Sequence, residues 1–255
     1  MNPATPSQPS QPSQPSQVVV VTGGGSGIGR ATVDQLLAQG TTVVVLDRDT
    51  STLPAHERLS AHQLDARDEA AVTAAFAQAA ADHGRIDALV NAIGIEHVST
   101  IDDLTADDWH KVIDTNLTSY YLTVRAAVPH LRERGGAIVN VASQLALVGT
   151  GRFSAYTAAK AGIIGFSRSL AMELAEHDVR VNVVCPGAVD TPLLQRQFVD
   201  GPGPQGSLDD LVGMHALKRL GRPEEIAAPI VFLTGPGATF MTGSVVVVDG
   251  GYTSW

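Results

Sequence analysis

The sequence predicts an α/β protein with a single doubly wound domain, in which helices cover both faces of a parallel sheet of seven strands. Apolar, β-rich runs alternate with helical segments through short connections, which is typical of successive strand–helix–strand units. The strand-like runs are nearly continuous in Val, Ile and Leu, and this pattern indicates strands that are buried on both faces. A chain of 255 residues, 44% of them hydrophobic, is long enough to build one such core.

The first half of the domain supplies four strands and two helices. The first strand is a run of valines that leads into a glycine cluster, and the second is a β-rich run that ends at Asp47. The third is a short and weaker run. These strands span residues 18–21, 42–47, 61–64 and 88–93, and the helices between them, one amphipathic and one rich in alanine, span 27–39 and 68–83.

The second half adds three strands, at 137–142, 179–184 and 244–248, and three helices. One long helix is predicted over 106–134 and another over 154–177, and Pro223 suits the first turn of a helix that continues to 234. A Gly- and Pro-rich excursion at about 188–222 is predicted to form a lid over the site. Its apolar residues indicate a largely hydrophobic cover: Leu193, Leu194, Phe198, Leu211 and Met214.

Residues 1–17 differ from the rest of the chain, because the tripeptide Pro-Ser-Gln repeats four times there. Such a segment has almost nothing to bury and predicts a disordered tail, with a proline-dependent docking role as the alternative. It lacks the basic and apolar regions of a secretory signal. The folded domain is therefore expected to span residues 18–255.

Charge and composition exclude several classes of function. The net charge is −9 and the basic residues are scattered, so no nucleic-acid partner is expected. No apolar run approaches the ~20 residues that span a bilayer, so no membrane association is expected. Cys185 is the single cysteine, and a chain without an internal disulfide is compatible with a cytoplasmic location. The histidines are dispersed without ligand spacing, so no metal site is expected.

The glycine cluster between the first strand and the first helix predicts a dinucleotide site of the Rossmann type. It reads T-G-G-G-S-G-I-G at residues 22–29, with Gly23, Gly27 and Gly29 at the key positions. A strand that turns sharply into a helix presents free N–H groups and a positive dipole end to a pyrophosphate. Asp47 lies 18 residues after Gly29, close to the spacing of a carboxylate that binds the adenosine ribose. This carboxylate favours NAD over NADP, while Arg48 beside it favours the opposite choice.

Tyr156 and Lys160 form the motif Y-T-A-A-K on a predicted helix, and a spacing of four places both on one face. A free tyrosine has a pKa near ~10, which is high for acid/base work at neutral pH. A nearby ammonium favours the phenolate and lowers that pKa. Ser143, at the end of the preceding strand, can hydrogen-bond a substrate oxygen beside the tyrosine hydroxyl. A Tyr-Lys pair at this spacing is also common on exposed helix surfaces, so the residues alone leave a surface pair as the alternative.

The chain resembles the short-chain dehydrogenase/reductase family over about residues 18–252. The matching motifs, in order, are T-G-G-G-S-G-I-G at 22–29, Asp47, L-D at 64–65, N-A-I-G at 91–94, Asn116, Ser143, Y-T-A-A-K at 156–160, C-P-G at 185–187 with Thr191, and V-D-G-G-Y at 248–252. The resemblance implies an enzyme that transfers hydride between NAD(H) and a secondary alcohol or ketone, with Ser143, Tyr156 and Lys160 as catalytic residues. It also implies that Asn116, with a distorted backbone, holds a water that relays protons to Lys160.

The same resemblance implies the residues that bind NAD. Asp65 would bond the adenine amino group, and Ile93 departs from the usual small residue, which predicts a modest packing adjustment. The implied cofactor-binding set is Gly23, Ser26, Gly27, Ile28, Gly29, Asp47, Arg48, Asp65, Ala66, Asn91, Ala92, Ile93, Tyr156, Lys160, Pro186, Gly187, Val189 and Thr191. The family further implies a homotetramer of 222 symmetry, and the two long helices are apolar on more than one face.

The substrate itself is left open by the sequence. Glu96 and His97 follow the fourth strand, and Gln144 follows Ser143. One interpretation is that Glu96 or His97 binds a second oxygen of the substrate, and the alternative is that both are exposed loop residues. Two other functions remain as alternatives. One is an NADPH-dependent 3-oxoacyl-thioester reductase, against which Asp47 and the acidic charge argue. The other is a catalytically silent nucleotide-binding scaffold, against which the filled catalytic positions argue.

Overall fold

A computed structural model describes residues 17–198 and 206–254. Most of the predicted N-terminal tail and the middle of the predicted lid lie outside the described residues. Gln17, which the sequence assigned to the tail, belongs instead to the domain, because its carbonyl accepts a hydrogen bond from Thr42 N (2.9 Å) and its side chain donates to Thr234 O (3.0 Å).

The sheet has seven parallel strands, as the sequence predicted. They are β1 (Val18–Thr22), β2 (Thr42–Asp47), β3 (Leu59–Gln63), β4 (Ala88–Asn91), β5 (Gly136–Val141), β6 (Val179–Pro186) and β7 (Val245–Val248). Their order across the sheet is β3-β2-β1-β4-β5-β6-β7. The order reverses between β1 and β4, and a doubly wound sheet binds its ligand outside the carboxyl ends of the strands at such a point.

Eight helices are assigned in the described part of the chain. They are α1 (Gly27–Ala38), α2 (Glu69–His83), α3 (Ala106–Ile113), α4 (Ser119–Arg132), α5 (Ser154–Leu174), α6 (Pro192–Gln195), α7 (Leu208–Gly213) and α8 (Pro223–Thr234). The two short helices α6 and α7 lie within the predicted lid segment, and α8 has the predicted bounds.

Two hydrophobic cores form, one on each face of the sheet. Val18 and Val20 of β1 pack with residues of α2, α4 and α5, whereas Val19 and Val21 pack with residues of α1 and α8. All four valines are buried, because successive side chains point to opposite faces and both faces are covered. Burying such a side chain stabilises the fold by about 1.5–3 kcal/mol. The near-continuous valine runs are therefore explained by helices on both sides.

The prediction of one continuous helix over 106–134 was wrong. The helix α3 ends at Ile113, a π-helical segment follows at Asp114–Thr118, and α4 begins at Ser119. Asn116 Nδ2 donates to Val112 O (2.8 Å), which is the acceptor that Asn116's own N–H would use in an α-helix. This competition accounts for the widened turn, and such π-bulges occur frequently at functional sites.

Candidate active site

A cavity of about 450 Å³ opens at the carboxyl ends of the strands. Its wall extends from the glycine loop after β1 to the first turns of α5. Of the twenty residues predicted to be catalytic or cofactor-binding, seventeen line it: Gly23, Ser26, Gly27, Ile28, Asp47, Arg48, Asp65, Ala66, Ala92, Ile93, Ser143, Tyr156, Lys160, Pro186, Gly187, Val189 and Thr191. The other three of these twenty, Gly29, Asn91 and Asn116, are buried and do not line the cavity.

The glycine loop is shaped by close backbone contacts. Gly23 has φ +72°, and a Cβ there would lie 2.8 Å from the Ala92 carbonyl oxygen. A Cβ on Gly29 would collide with the Gly23 carbonyl oxygen, so Gly29 serves the packing of the loop and not the cavity wall. Ser26 is the N-cap of α1, and its side chain caps none of the helix N–H groups. These N–H groups suit an anionic phosphate at the start of α1.

The end of the cavity next to β2 contains the negatively and positively charged side chains that affect the choice between NAD and NADP. Asp47 Oδ2 accepts a hydrogen bond from Gly25 N (2.8 Å) and Oδ1 accepts one from Asp49 N (3.0 Å), so its carboxylate ties the glycine loop to the end of β2. Arg48 lines the same wall. Arg67, which no sequence motif indicated, also lines the wall and binds Asp65 (2.6 Å). The hydrogen bond from Arg67 lowers the pKa of Asp65 to about 2.

The other end of the cavity brings Ser143, Tyr156 and Lys160 together. Ser143 follows β5 and its Oγ accepts a hydrogen bond from Leu145 N (3.1 Å). Tyr156 and Lys160 lie on one face of α5, and Lys160 Nζ is 5.7 Å from the centre of the Tyr156 ring. Lys160 is only 3% exposed, and its Nζ donates to Val141 O (3.0 Å). The buried ammonium is thus fixed beside the phenol.

Burial shifts both proton-bearing groups of this cluster. It raises the pKa of Tyr156 above its ordinary value, and the negative charge of Glu96 adds to that effect, while the hydrogen bond with Ser143 lowers it. Burial also lowers the pKa of Lys160 to about 8, and the charge of Glu96 opposes this shift. The sequence led us to expect that Lys160 lowers the pKa of Tyr156, but in the structure the effect of burial is larger and the pKa is raised instead.

Asn116 positions the cluster from behind. Its Oδ1 accepts a hydrogen bond from Ile95 N (3.1 Å), and its Nδ2 donates to Ile95 O (3.0 Å) as well as to Val112 O. A Cβ on Gly94 would lie 3.2 Å from Asn116 Oδ1 and 3.5 Å from Lys160 Nζ, so the amide and the ammonium face each other across a glycine. The distorted backbone expected at Asn116 is present as the π-helical segment.

Asn91 supports the central sheet. Its Oδ1 accepts hydrogen bonds from Thr22 (3.1 Å) and Thr123 (2.8 Å), and its Nδ2 donates to Asn140 Oδ1 (2.9 Å). A second buried support, Tyr120, was missed by the sequence analysis. Its hydroxyl lies 2.9 Å from both the Ile93 and the Val141 carbonyl oxygens and shares its proton between them. No sequence motif marks this tyrosine.

Glu96 and His97, the two candidate substrate-binding residues of the loop after β4, differ in whether they line the cavity. Glu96 lines the cavity and accepts a hydrogen bond from Gln197. Burial raises the pKa of Glu96 to about 7. His97 is directed elsewhere, because its Nε2 lies 3.7 Å from Asp108 Oδ2. Three of the five predicted lid residues line the cavity, namely Leu193, Leu194 and Leu211, whereas Phe198 and Met214 do not.

Within residues 17–198 and 206–254, no three His, Cys, Asp or Glu side chains cluster as a metal site would require. In the same described ranges, no helix combines the length and the apolar character needed to cross a bilayer.

Comparisons with known proteins match nearly the whole chain. A family model described as Enoyl-(Acyl carrier protein) reductase matches residues 23–253. The chain is 38% identical over 246 residues to Cis-4-hydroxycyclohexanecarboxylate dehydrogenase of Sinomonas cyclohexanicum, covering 93% of this chain and 96% of that protein. It is 35% identical to Cyclohexanol dehydrogenase of Acinetobacter sp. (93% and 95% covered) and 32% identical to 3-oxoacyl-(acyl-carrier-protein) reductase FabG of Thermotoga maritima (92% and 96%).

Solved structures agree with these sequence relatives. Ligand-free aldohexose dehydrogenase of Thermoplasma acidophilum superposes with a TM-score of 0.88 at 32% identity, covering 94% of this chain and 95% of that chain. ElxO with NADP bound superposes with a TM-score of 0.87 at 30% identity, covering 94% and 100%. The family model's match to residues 23–253 includes most of the glycine loop and the Ser-Tyr-Lys cluster. The chain therefore belongs to the short-chain dehydrogenase/reductase family of oxidoreductases.

Proposed function

We propose that the protein interconverts a secondary alcohol and a ketone with NAD(H), using Tyr156 as its acid/base. One observation carries the proposal: a single cavity has the glycine loop and Asp47 at one end and Ser143, Tyr156 and Lys160 at the other. The first end suits a dinucleotide, and the second suits proton transfer at a substrate oxygen.

The residues present fit a nicotinamide dinucleotide. The uncapped N–H groups of α1 suit a pyrophosphate, and a side chain at Gly23 would clash with the Ala92 backbone that forms the wall. When bound, the cofactor supplies the hydride acceptor or donor and, in its oxidised form, a positive ring that favours a nearby phenolate. Pro186, Gly187 and Thr191 are the residues that would hold the nicotinamide end, since they lie at or after the end of β6 and line the same cavity as Ser143 and Tyr156.

The chemistry of the chain's own residues is proton transfer and orientation. In alcohol oxidation, the Tyr156 oxygen takes the hydroxyl proton, and Ser143 holds the substrate oxygen by a hydrogen bond. Lys160 stabilises the phenolate, because its ammonium is buried and pinned to Val141 O beside the ring. Asn116 fixes the loop that carries Ile95 and faces the ammonium, so it acts as a positioning residue.

A preference for NAD over NADP rests on Asp47. A carboxylate at the end of β2 accepts hydrogen bonds from ribose hydroxyls and repels a 2′-phosphate. Arg48 and Arg67 line the same wall and would attract that phosphate, but Arg67 is already bound by Asp65. The ElxO relative contains NADP, so the balance between Asp47 and the two arginines is the point that requires measurement.

The proposed substrate class is a cyclic or other bulky secondary alcohol. Two relatives, by their names, act on cyclohexanol and on a hydroxycyclohexanecarboxylate. The substrate side of this cavity has apolar walls, including Leu145, Phe153, Leu193 and Leu211, and such walls suit an alicyclic ring.

A second function has support from a specific observation. The family model is described as an acyl-carrier-protein reductase, and FabG of Thermotoga maritima is a relative. This alternative is an NADPH-dependent reduction of 3-oxoacyl thioesters. A silent scaffold has no such support, because Ser143, Tyr156, Lys160 and Asn116 are all present and placed together.

The distinguishing experiment is a panel of secondary alcohols, ketones and 3-oxoacyl thioesters, followed at the absorbance of NAD(P)H with both cofactors in parallel. We expect NADH formation from cyclic secondary alcohols. Turnover confined to NADPH and acyl thioesters would instead establish the reductase.

We also propose a homotetramer. Met172 on α5 is 81% exposed, and Tyr121 on α4, Phe232 on α8 and Phe240 before β7 are exposed as well. Exposed apolar side chains on two separate faces of a monomer indicate two subunit interfaces. Light scattering at micromolar concentration should give four times the mass of the chain, and a monomeric mass would contradict the proposal.

A further inference from the structure

The substrate end of the cavity contains a carboxylate that the proposed proton transfer does not use. Glu96 follows β4 and lines the cavity that holds Ser143 and Tyr156. Among the described residues, its side chain accepts one hydrogen bond, from Gln197 Nε2 of the segment after α6. A carboxylate offers about four acceptor positions, so Glu96 has capacity for a further donor from a ligand.

The charges around Glu96 limit what that ligand group can be. The positive charges of Lys160 and Arg196 both act on Glu96. A ligand ammonium would meet these two cations, and a ligand carboxylate would meet Glu96 itself, so either charged group is opposed by one of its neighbours. A neutral hydroxyl avoids both conflicts and can donate to the carboxylate.

Gln144 provides a second unused polar group on the same cavity. It is 4% exposed, it follows Ser143 directly, and its Oε1 has no hydrogen-bond partner among the described residues. Burying an amide oxygen without a partner costs about as much as a lost hydrogen bond, and a structural role would have supplied one. A substrate group that enters the cavity can complete this side chain's hydrogen bonds.

We propose that Glu96 and Gln144 form a hydroxyl-recognition subsite, which makes the enzyme select secondary alcohols that carry a second hydroxyl group. This inference rests on the proposed function, since it concerns the substrate of the same cavity. Apolar residues such as Leu145 and Phe153 line the same cavity and suit the carbon skeleton, and the hydroxyl that is not oxidised donates its proton to one of the two acceptors, the Glu96 carboxylate or Gln144 Oε1. The substrate class is therefore a cyclic diol or polyol.

The test compares kcat/KM for cyclohexanol with that for the cyclohexane-1,2-, 1,3- and 1,4-diols, using the full chain and NAD⁺. The readout is the ratio of the best diol to cyclohexanol, which cancels changes common to both substrates. Glu96→Met removes the acceptor at similar length, Glu96→Gln keeps a hydrogen-bonding group without the charge, and Gln144→Leu removes the unpaired amide. Glu133→Met makes the same change at an exposed position of the surface and is the matched control.

We expect the wild-type ratio to be roughly 10 to 100, which corresponds to one or two hydrogen bonds to a buried polar site. Glu96→Met should bring the ratio to about 1, Glu96→Gln should retain part of it, and Glu133→Met should leave it as in wild type. Gln144→Leu should lower the ratio and at the same time raise the melting temperature of the ligand-free protein, because an unpaired buried oxygen is removed. A residue with a purely structural role would not produce this opposite pair of changes.

A wild-type ratio near 1, or a ratio that Glu96→Met leaves intact, would overturn the subsite while alcohol oxidation itself stands. Preference for 4-hydroxycyclohexanecarboxylate or for 2-aminocyclohexanol over every diol would also overturn it. If the wild-type protein oxidises none of these alcohols with either cofactor, the proposed function fails first and the subsite falls with it.

Discussion

The carboxylate of Asp47 should determine the choice between NAD and NADP, and Asp47→Asn tests it with a minimal change. In the wild-type protein both carboxylate oxygens accept hydrogen bonds from backbone N–H groups, those of Gly25 and Asp49. Asparagine keeps one acceptor oxygen and removes the negative charge. The loop should survive at a cost of about 1 kcal/mol, the value of one hydrogen bond.

The magnitude follows from the charges on this wall. Two unit charges 4 Å apart interact with about 4 kcal/mol at an effective dielectric constant of 20, and a 2′-phosphate carries about −1.5 to −2. Asp47 is partly exposed, and Arg48 lines the same wall, so solvent and the guanidinium offset part of this repulsion. We expect a net change of about 1.4–2.8 kcal/mol, or roughly 10- to 100-fold in the ratio of kcat/KM for NADP⁺ to that for NAD⁺.

The assay is the initial rate of NAD(P)H formation at saturating alcohol, with each cofactor varied in turn. Asp82→Asn is the matched control, because it removes the same charge from an exposed position near the end of α2. The reasoning is refuted if Asp47→Asn leaves the cofactor ratio as in wild type, or if the wild-type protein already prefers NADP⁺.

Three further changes test the site from different sides. Burial raises the pKa of Glu96 to about 7, so the folded protein keeps a proton that the unfolded chain releases near pH 4.5. The protonated Glu96 therefore contributes fully to the free energy of unfolding below pH 4.5, and this contribution is lost as the pH rises through 7. Denaturant unfolding of wild type and Glu96→Gln should therefore diverge by about 1–2 kcal/mol between pH 4.5 and 8, after allowance for partial exposure, and parallel pH profiles would contradict this. Tyr120→Phe should lower the free energy of unfolding by about 1–2 kcal/mol, because the buried Ile93 and Val141 carbonyls lose a donor, and an unchanged denaturant midpoint would count against that role. Gly29→Ala should weaken NADH binding roughly 100-fold in a fluorescence titration, because its Cβ displaces the Gly23 carbonyl, and a wild-type Kd would show that the loop tolerates the methyl group.

The sheet was predictable because its strands are long valine-rich runs that helices cover on both sides. The weakest strand prediction, at 61–64, corresponds to β3 at Leu59–Gln63, the edge strand, which is only partly buried and therefore lacks the apolar signal. The family resemblance implied a distorted backbone at Asn116, but the apolar periodicity did not indicate a break between α3 and α4, because the break depends on the Asn116 side chain, which bonds to Val112 and to Ile95 of a distant loop. The periodicity of apolar residues along the sequence does not indicate a contact with a distant loop.

The cavity residues were predictable where a motif coincides with the end of a strand, as at Asp47 and Ser143. Arg67 and Gln197 could not be found in this way, because their positions depend on a partner: Asp65 holds Arg67, and Gln197 binds Glu96 across the cavity. The sequence also could not separate Glu96 from His97. Only the path of the loop after β4 turns one side chain into the cavity and leaves the next beside Asp108.

The measurement that tests the central claim most directly is the turnover of Tyr156→Phe with NAD⁺ and the best secondary alcohol of the panel. Removing one hydroxyl from a buried ring should lower kcat roughly 10²- to 10⁴-fold, the range expected for lost acid/base catalysis. NADH should still bind with a Kd within about threefold of wild type, because Lys160 and the glycine loop are untouched. Tyr121→Phe, at an exposed position of α4, is the control and should retain full turnover. Near wild-type turnover in Tyr156→Phe would contradict the assignment of the proton to this hydroxyl.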